Sequence, residues 1–317
     1  MSFTADVKAE LANARDSACC ARAELSALLA VGGAVELRRT GLALTFQTTN
    51  NAVVRKFLKL LKERYKVEPL TMTKRRLNLQ KNDIYVVEIE ERVQNIVDDL
   101  VLMNRNALFF QEVDDSLVAK ECCRRAYLRG AFLAGGSMNS PETPTYHLEI
   151  QTFSERLAES VAKLANGFDL GARTTKNRRG WIVYVKEAER ISDFMRVTGA
   201  TNELFRFEDA RIKRDFANSI NRVMNCDIAN EEKALKAARE QLELIAKIEA
   251  FKPQDMPKSL AEIVFLRKKY PESTLVELTY AAEEHFGKML TKSAINHRFR
   301  ALKDYLVELE YLREESR

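Results

Sequence analysis

Cys19-Cys-Ala-Arg-Ala-Glu-Leu-Ser-Ala-Leu-Leu-Ala-Val-Gly-Gly-Ala-Val35 returns 103 residues later as Cys122-Cys-Arg-Arg-Ala-Tyr-Leu-Arg-Gly-Ala-Phe-Leu-Ala-Gly-Gly-Ser-Met138. Seven of the 17 positions are identical, including both vicinal cysteine pairs and both Gly-Gly pairs. The segments downstream of the two copies also repeat in kind. A β-rich run (42–48; 147–152) leads to an amphipathic helical segment (51–65; 154–167), then to a hairpin and another helix. Each half reads α-β-β-α-β-β-α, which predicts an α+β domain duplicated over 1–207, with repeats of about 1–103 and 104–207 related by a pseudo-twofold axis.

The first helix of each repeat is small and apolar on nearly all sides and ends in Gly-Gly, so its backbone can approach a neighbour closely. The natural neighbour is its own copy. The hairpins run 75–90, turning at Gln80-Lys-Asn-Asp83, and 173–186, turning at Asn177-Arg-Arg-Gly180, where Asn, Asp and Gly tolerate the dihedrals of a tight turn. Cations cluster on both: Lys74, Arg75, Arg76 and Lys81, then Arg173, Lys176, Arg178 and Arg179. On a two-sheet surface Arg75, Arg76, Arg178 and Arg179 are candidates for secondary phosphate contacts, and two ordinary solvated hairpin faces account for them equally well.

The 317 residues, 46% hydrophobic and 31% charged, suffice for more than one core. Charges interrupt every apolar run, so export and membrane insertion are not expected. A net charge of +5 permits nucleic-acid binding without demanding it, which leaves the decision to its distribution. Five cysteines, two vicinal pairs and Cys226, fit a reducing cytoplasm rather than a secreted disulfide framework. Adjacent cysteines lack the spacing that wraps one zinc ion, so the pairs are read as buried small hydrophobes and neither metal nor cofactor is expected.

Residues 208–256 form a connector. Its first part, 208–230, mixes Arg211, Lys213, Arg214 and Arg222 with asparagines, and suits either a phosphate backbone or packing against the first domain. Leu235, Ala238, Leu242, Ile245 and Ile248 then recur at helical spacing up to Lys252-Pro253. From 257 to 317 the pattern is all-α. Ser259-Leu-Ala-Glu262 and Thr274-Leu-Val-Glu277 read as capping boxes, the first helix closing at Pro271 and the second at Gly287. A third helix from Thr291 places Ile295, Phe299, Leu302, Leu306 and Leu309 on one face and Lys292, Asn296, Arg300 and Lys303 on another.

No acid occurs from Gly287 through Lys303. A helix, a turn with Gly and a helix with a cationic and amide face make a helix-turn-helix reader of the major groove. Asn pairs bidentately with adenine and Arg with guanine, so Asn296 and Arg300 are the base candidates, with His297 either reaching a base or satisfying a nearby carbonyl. Lys288, Lys292, Ser293, Arg298 and Lys303 are the phosphate candidates. A three-helix bundle used for protein contacts is the alternative.

Leu128-Arg-Gly-Ala-Phe-Leu-Ala-Gly-Gly-Ser137 resembles the motif helix of LAGLIDADG homing endonucleases. That resemblance implies two such helices along a pseudo-dyad, two four-stranded sheets forming a saddle over DNA, and a metal-holding acid near each helix end. Alignment puts Gly135 at the acid's position and the duplication puts Gly32 at its partner. Glycine cannot ligand Mg²⁺, and Glu36 and Glu142 lie off the motif, so the nuclease chemistry is expected to be lost. Together with Phe207-Glu-Asp-Ala-Arg-Ile212, Asn218-Ser-Ile-Asn-Arg222, Asn225-Cys226 and Lys292-Ser-Ala-Ile-Asn-His-Arg298, the second motif makes essentially the whole chain similar to the WhiA family. The stretch 280–290 departs from that family's pattern through a longer turn.

The WhiA resemblance implies a non-enzymatic transcription factor of Gram-positive bacteria, cytoplasmic and nucleoid-associated. Its implied roles are in cell division, chromosome segregation and, in filamentous species, sporulation. Double-stranded DNA is the expected partner. An interaction scaffold that docks an RNA polymerase subunit or a division-related protein, and an active homing-type nuclease, are the competing readings.

Overall fold

The computed structural model describes residues 2–15, 17–39, 41–74, 83–103, 112–253 and 255–315. Arg75, Arg76, Lys81 and residues 80–82 of the expected first turn lie outside the described residues, and the first hairpin's paired strands run 70–74 and 84–88, so it begins ahead of the expected 75. The chain divides into two units, Met1–Asp215 and Phe216–Arg317, each with its own core.

In the first unit, α1 (Phe3–Ala12) precedes a repeat built of α2 (Ala18–Gly32), β1 (Gly33–Arg38), β2 (Gly41–Thr48), α3 (Asn51–Tyr65), β3 (Leu70–Lys74), β4 (Ile84–Ile89) and α4 (Val93–Asp99). After the short α5 (Asp115–Val118), the same order returns as α6 (Glu121–Gly135), β5 (Gly136–Met138), β6 (Leu148–Thr152), α7 (Glu155–Asn166), β7 (Arg173–Asn177), β8 (Gly180–Val185) and α8 (Ala188–Thr198). The expected duplicated αββαββα architecture is present. Each repeat has a four-stranded antiparallel sheet, ordered β1-β2-β4-β3 and β5-β6-β8-β7. Period-two patterning sets the register. Phe46 opposite Val87 and Ile150 opposite Val183 face the core, while the next residues along, Thr45 opposite Glu88 and Glu149 opposite Tyr184, belong to the other face.

The two motif helices pack against each other in the same direction. Four cysteines meet at their N-terminal ends, Glu24 meets Arg129 midway, and Gly32 lies against Ala134 at their C-terminal ends. Gly130 shows why the small residues are needed: a Cβ there would sit 2.4 Å from the Glu24 carbonyl oxygen, on the neighbouring backbone. Leu25, Leu28, Leu29, Leu128, Phe132 and Leu133 fill the rest of this seam and are fully buried. Each helix passes straight into a strand at Gly33 and Gly136, where a Cβ would meet the Leu29 carbonyl oxygen at 2.6 Å and the Phe132 ring at 2.2 Å.

The second unit carries most of α9 (Thr201–Ala250), a single 50-residue helix. Apolar spacing alone predicts a helix only from Leu235. No Gly or Pro occurs from 201 to 252, so nothing stops helix propagation through the Asn-rich 208–230 segment. Then come α10 (Lys258–Lys269), α11 (Leu275–Phe286) and α12 (Lys292–Glu315), around a core of Ile248, Leu260, Ile263, Leu266, Leu278, Ile295, Phe299 and Leu302.

The capping box at Thr274 is complete, its hydroxyl accepting from the Glu277 amide while the Glu277 carboxylate accepts from the Thr274 amide. The one expected at Ser259 does not form. Helix α10 starts two residues earlier, behind Pro257, and Glu262 turns instead to Arg298.

Candidate nucleic-acid interface

Helix α12 is anchored by its apolar stripe: Ile295, Phe299, Leu302 and Leu306 are buried against α10 and α11. The Thr291 hydroxyl caps its start by accepting from the Ala294 amide. Gly287, with φ of 60°, ends α11 in the left-handed conformation that Gly adopts without strain. This geometry leaves Lys292, Ser293, Asn296, His297, Arg300 and Lys303 exposed, with Lys288 exposed on the turn before them. Asn296 and Arg300 are four residues apart and so share a face.

Arg298 is the exception among the expected phosphate contacts. Its guanidinium lies 3.0 Å from Glu262 with side chains only 18% and 10% exposed, so it fastens α12 to α10 rather than facing solvent. The 100° step per residue explains this, because position 298 follows Ile295 by three and precedes Leu302 by four on the inward face.

Sequence reasoning misses Arg267. Only 1% exposed, it donates to the carbonyl oxygens of Ser273 (2.6 Å) and Tyr270 (3.2 Å) and to the Gln241 side chain (3.0 Å). It thereby closes the turn between α10 and α11. Burial pulls its guanidinium below the usual arginine range. The signal that could have found it is its place four residues after Ile263 and seven after Leu260, on the buried stripe.

In the first unit an open cavity of about 720 Å³ lies at the C-terminal ends of the motif helices, lined by Gly32, Gly135, Thr45, Gln47, Gln151, Lys8 and Arg179 among others. No carboxylate lines it among the described residues. A Cβ at Gly135 would meet the Gln151 carbonyl oxygen at 2.5 Å and Val31 at 2.6 Å, and one at Gly32 would meet the Phe46 ring at 2.8 Å. These positions are packed for hydrogen. The cavity presents cations instead: Arg179 from the β7–β8 turn, and half-buried Lys8, whose pKa burial lowers to about 8.

Arg178 and Arg179 occupy the two-residue turn between the paired Asn177 and Gly180, and both are exposed with Arg173 and Lys176. Lys74 is likewise exposed. The outward sheet faces also carry acids. Glu36 and Glu88 are tied to Arg38 (2.8 and 3.6 Å), and Glu149 is paired with His147 (3.2 Å). On α9, Arg211 is held by Glu208 and Glu189. Arg214 lies over the Tyr146 ring and donates to the Thr143 carbonyl, so these two of the segment's four cations serve internal packing, while Lys213 and Arg222 are exposed.

The cysteine pairs depart from the sequence expectation. They are not merely buried hydrophobes: Cys122 is exposed and Cys19 half-buried, and the four thiols of Cys19, Cys20, Cys122 and Cys123 lie within 4.8 Å of one another. Vicinal spacing argues against one loop wrapping an ion. It says nothing against two helix ends facing one.

A duplicated domain of this topology joined to a helix-turn-helix defines a class, the LAGLIDADG-like proteins with a C-terminal DNA-binding module. Family models for the WhiA N-terminal LAGLIDADG-like domain, the WhiA LAGLIDADG-like domain and the WhiA C-terminal HTH domain match residues 18–103, 124–217 and 220–306. The chain is 42% identical over 310 residues to the probable cell division protein WhiA of Bacillus cereus (strain AH187), and equally so to that of Bacillus anthracis (strain CDC 684 / NRRL 3495), covering 98% of this chain and 97% of each relative. The chain belongs to the WhiA family. Its fold matches the crystal structure of full-length WhiA from Thermotoga maritima with a TM-score of 0.57 at 21% identity, over 97% of this chain and 99% of that one. The isolated N-terminal LAGLIDADG domain of WhiA matches with a TM-score of 0.50 at 23% identity, over 62% of this chain and 90% of that one. No helix among the described residues is long and apolar enough to cross a membrane.

Proposed function

We propose that this protein is a sequence-specific DNA-binding transcriptional regulator acting in cell division and chromosome segregation, and in sporulation where the organism sporulates. The carrying observation is the exposed face of α12, where Lys292, Asn296, Arg300 and Lys303 stand opposite a buried apolar stripe with no acid between Gly287 and Lys303. In this reading Asn296 and Arg300 read bases, with His297 beside them. Lys288, Lys292, Ser293 and Lys303 grip phosphates. Arg178 and Arg179 add secondary phosphate contacts from the first unit. The double-stranded DNA partner and nucleoid association rest on the same face.

The nuclease chemistry is absent in this proposal, because Gly32 and Gly135 offer no side-chain oxygen to a metal and their surroundings leave no room for a Cβ. Nuclease protection footprinting on genomic targets selected by the full chain tests the reading. Asn296→Ala and Arg300→Ala each weaken the selected site by roughly 5- to 150-fold, the value of one good base pairing, while leaving affinity for random DNA nearly unchanged. Undiminished binding by Arg300→Ala sinks the assignment.

A scaffold role is the second reading, favoured by the exposed apolar row Ile212, Phe216, Ile220 and Val223 on α9. An RNA polymerase subunit or a division-related protein would be its partner. Normal growth and division after removal of 258–317 supports that reading over the first.

A further inference from the structure

We infer that the N-terminal ends of the two motif helices form a tetrathiolate site for a single soft divalent cation of the zinc type. Cys19 and Cys20 occupy the second and third residues of α2, and Cys122 and Cys123 the second and third of α6. The duplication thus supplies two thiols from each repeat, and their sulfur atoms lie within 4.8 Å of one another. A tetrahedral ion with metal–sulfur bonds of about 2.3 Å needs sulfur–sulfur edges of about 3.8 Å, so rotamer adjustment of roughly an ångström closes the cage. Cys122 and Cys123 already stand 4.0 Å apart. No other group of three or more potential metal ligands comes together among the described residues.

Electrostatics favours an anion at this point. Two parallel helices bring two positive dipole ends side by side, which repel unless negative charge lies between them. Neither helix has a side-chain cap at its start: the N-cap of α6 is Lys120, and the Ser17 hydroxyl before α2 sits 3.2 Å from both Cys19 and Cys20 sulfurs instead of on the backbone. Four thiolates around one divalent ion carry a net charge of −2, the sign both helix ends call for. Cys122 is exposed and Cys19 half-buried, which leaves a way in. With all four positions filled by sulfur the ion has no open position, so it acts as a clamp between repeats. It lies a helix length, about 22 Å, from the cavity at the Gly-Gly ends.

The test uses the full chain purified without a metal-binding tag in a thiol-free reductant. After incubation with Zn²⁺ and desalting, elemental analysis reads about one zinc per chain, and Co²⁺ in its place gives the intense thiolate charge-transfer and tetrahedral ligand-field absorption of a four-sulfur site. The double variant Cys19→Ser, Cys122→Ser changes the two more accessible thiols; it keeps its far-ultraviolet dichroism and loses both signals. Cys226→Ala, far along α9, keeps them. Two results overturn the inference: no retained zinc and no cobalt spectrum in the wild type, or equal retention by the double variant.

Discussion

At the scale of single residues, the cavity at the end of the motif helices is where the proposed absence of nuclease chemistry is tested. Gly32 and Gly135 are part of the packing, so an acid placed there is not expected to make an enzyme. Gly135→Asp drives a Cβ into the Gln151 carbonyl oxygen and the Val31 side chain, and is expected to destabilise the first unit by roughly 1–3 kcal/mol, the usual cost of overpacking a close contact. Incubation with Mg²⁺ and supercoiled plasmid is expected to yield no cutting by this variant, and any metal-dependent nick refutes the packing argument. Lys8 in the same cavity gives a pH signature. Burial lowers its folded-state pKa from 10.5 to about 8, so the charged form is disfavoured in the folded protein and the cost is fully present below pH 8. As pH rises from about 8 towards 10.5 the unfolded chain holds the extra proton and the cost disappears. Lys8→Met is therefore more stable than wild type at pH 7 in urea titrations, and the gap narrows over that window. A gap that widens with pH reverses the sign and the explanation.

Individual elements divide according to whether a local signal or a tertiary contact decides them. The second hairpin, the two motif helices, the Thr274 capping box and the stripe of α12 were legible because each is fixed by a period or a spacing within its own segment. The failures are tertiary. Ser259-Leu-Ala-Glu262 has the letters of a capping box, but Glu262 gains more from Arg298 in a sheltered ion pair than from its own helix start. The convergence of the cysteines depends on one helix meeting another 103 residues away, which vicinal spacing does not encode. On α12 the distinction between Arg298 and Lys303 is measurable. Arg298→Ala leaves Glu262 unpaired at 10% exposure, and is expected to cost about 1–3 kcal/mol of stability in the second unit. Lys303→Ala leaves stability within roughly 0.5 kcal/mol, lowers affinity for all DNA sequences alike and reduces the salt slope of binding by about one. If the two variants exchanged phenotypes, the assignment of faces on α12 would be wrong.

The whole molecule joins two separately cored units through one helix, and the consequence lies in its cooperativity. Leu204 and Phe207 of α9 belong to the first core, and Leu244 and Ile248 to the second. From 216 to 233 every residue of α9 is exposed, so that stretch belongs to neither core. A helix with no buried face gains little from tertiary packing and opens locally before either core does. Brief trypsin treatment is expected to cut first at Arg222 or Lys233, leaving two resistant fragments. Thermal unfolding of the intact chain is expected to show two transitions. Arg267→Ala identifies them. It removes a buried guanidinium that satisfies the carbonyl oxygens of Tyr270 and Ser273, and should lower the second unit's stability by about 1.5–3 kcal/mol, the range for hydrogen bonds to a charged group. Differential scanning calorimetry should show one transition shifted down by several degrees and the other unmoved. A single transition that shifts as a whole means the two cores unfold together and that α9 transmits stability between them.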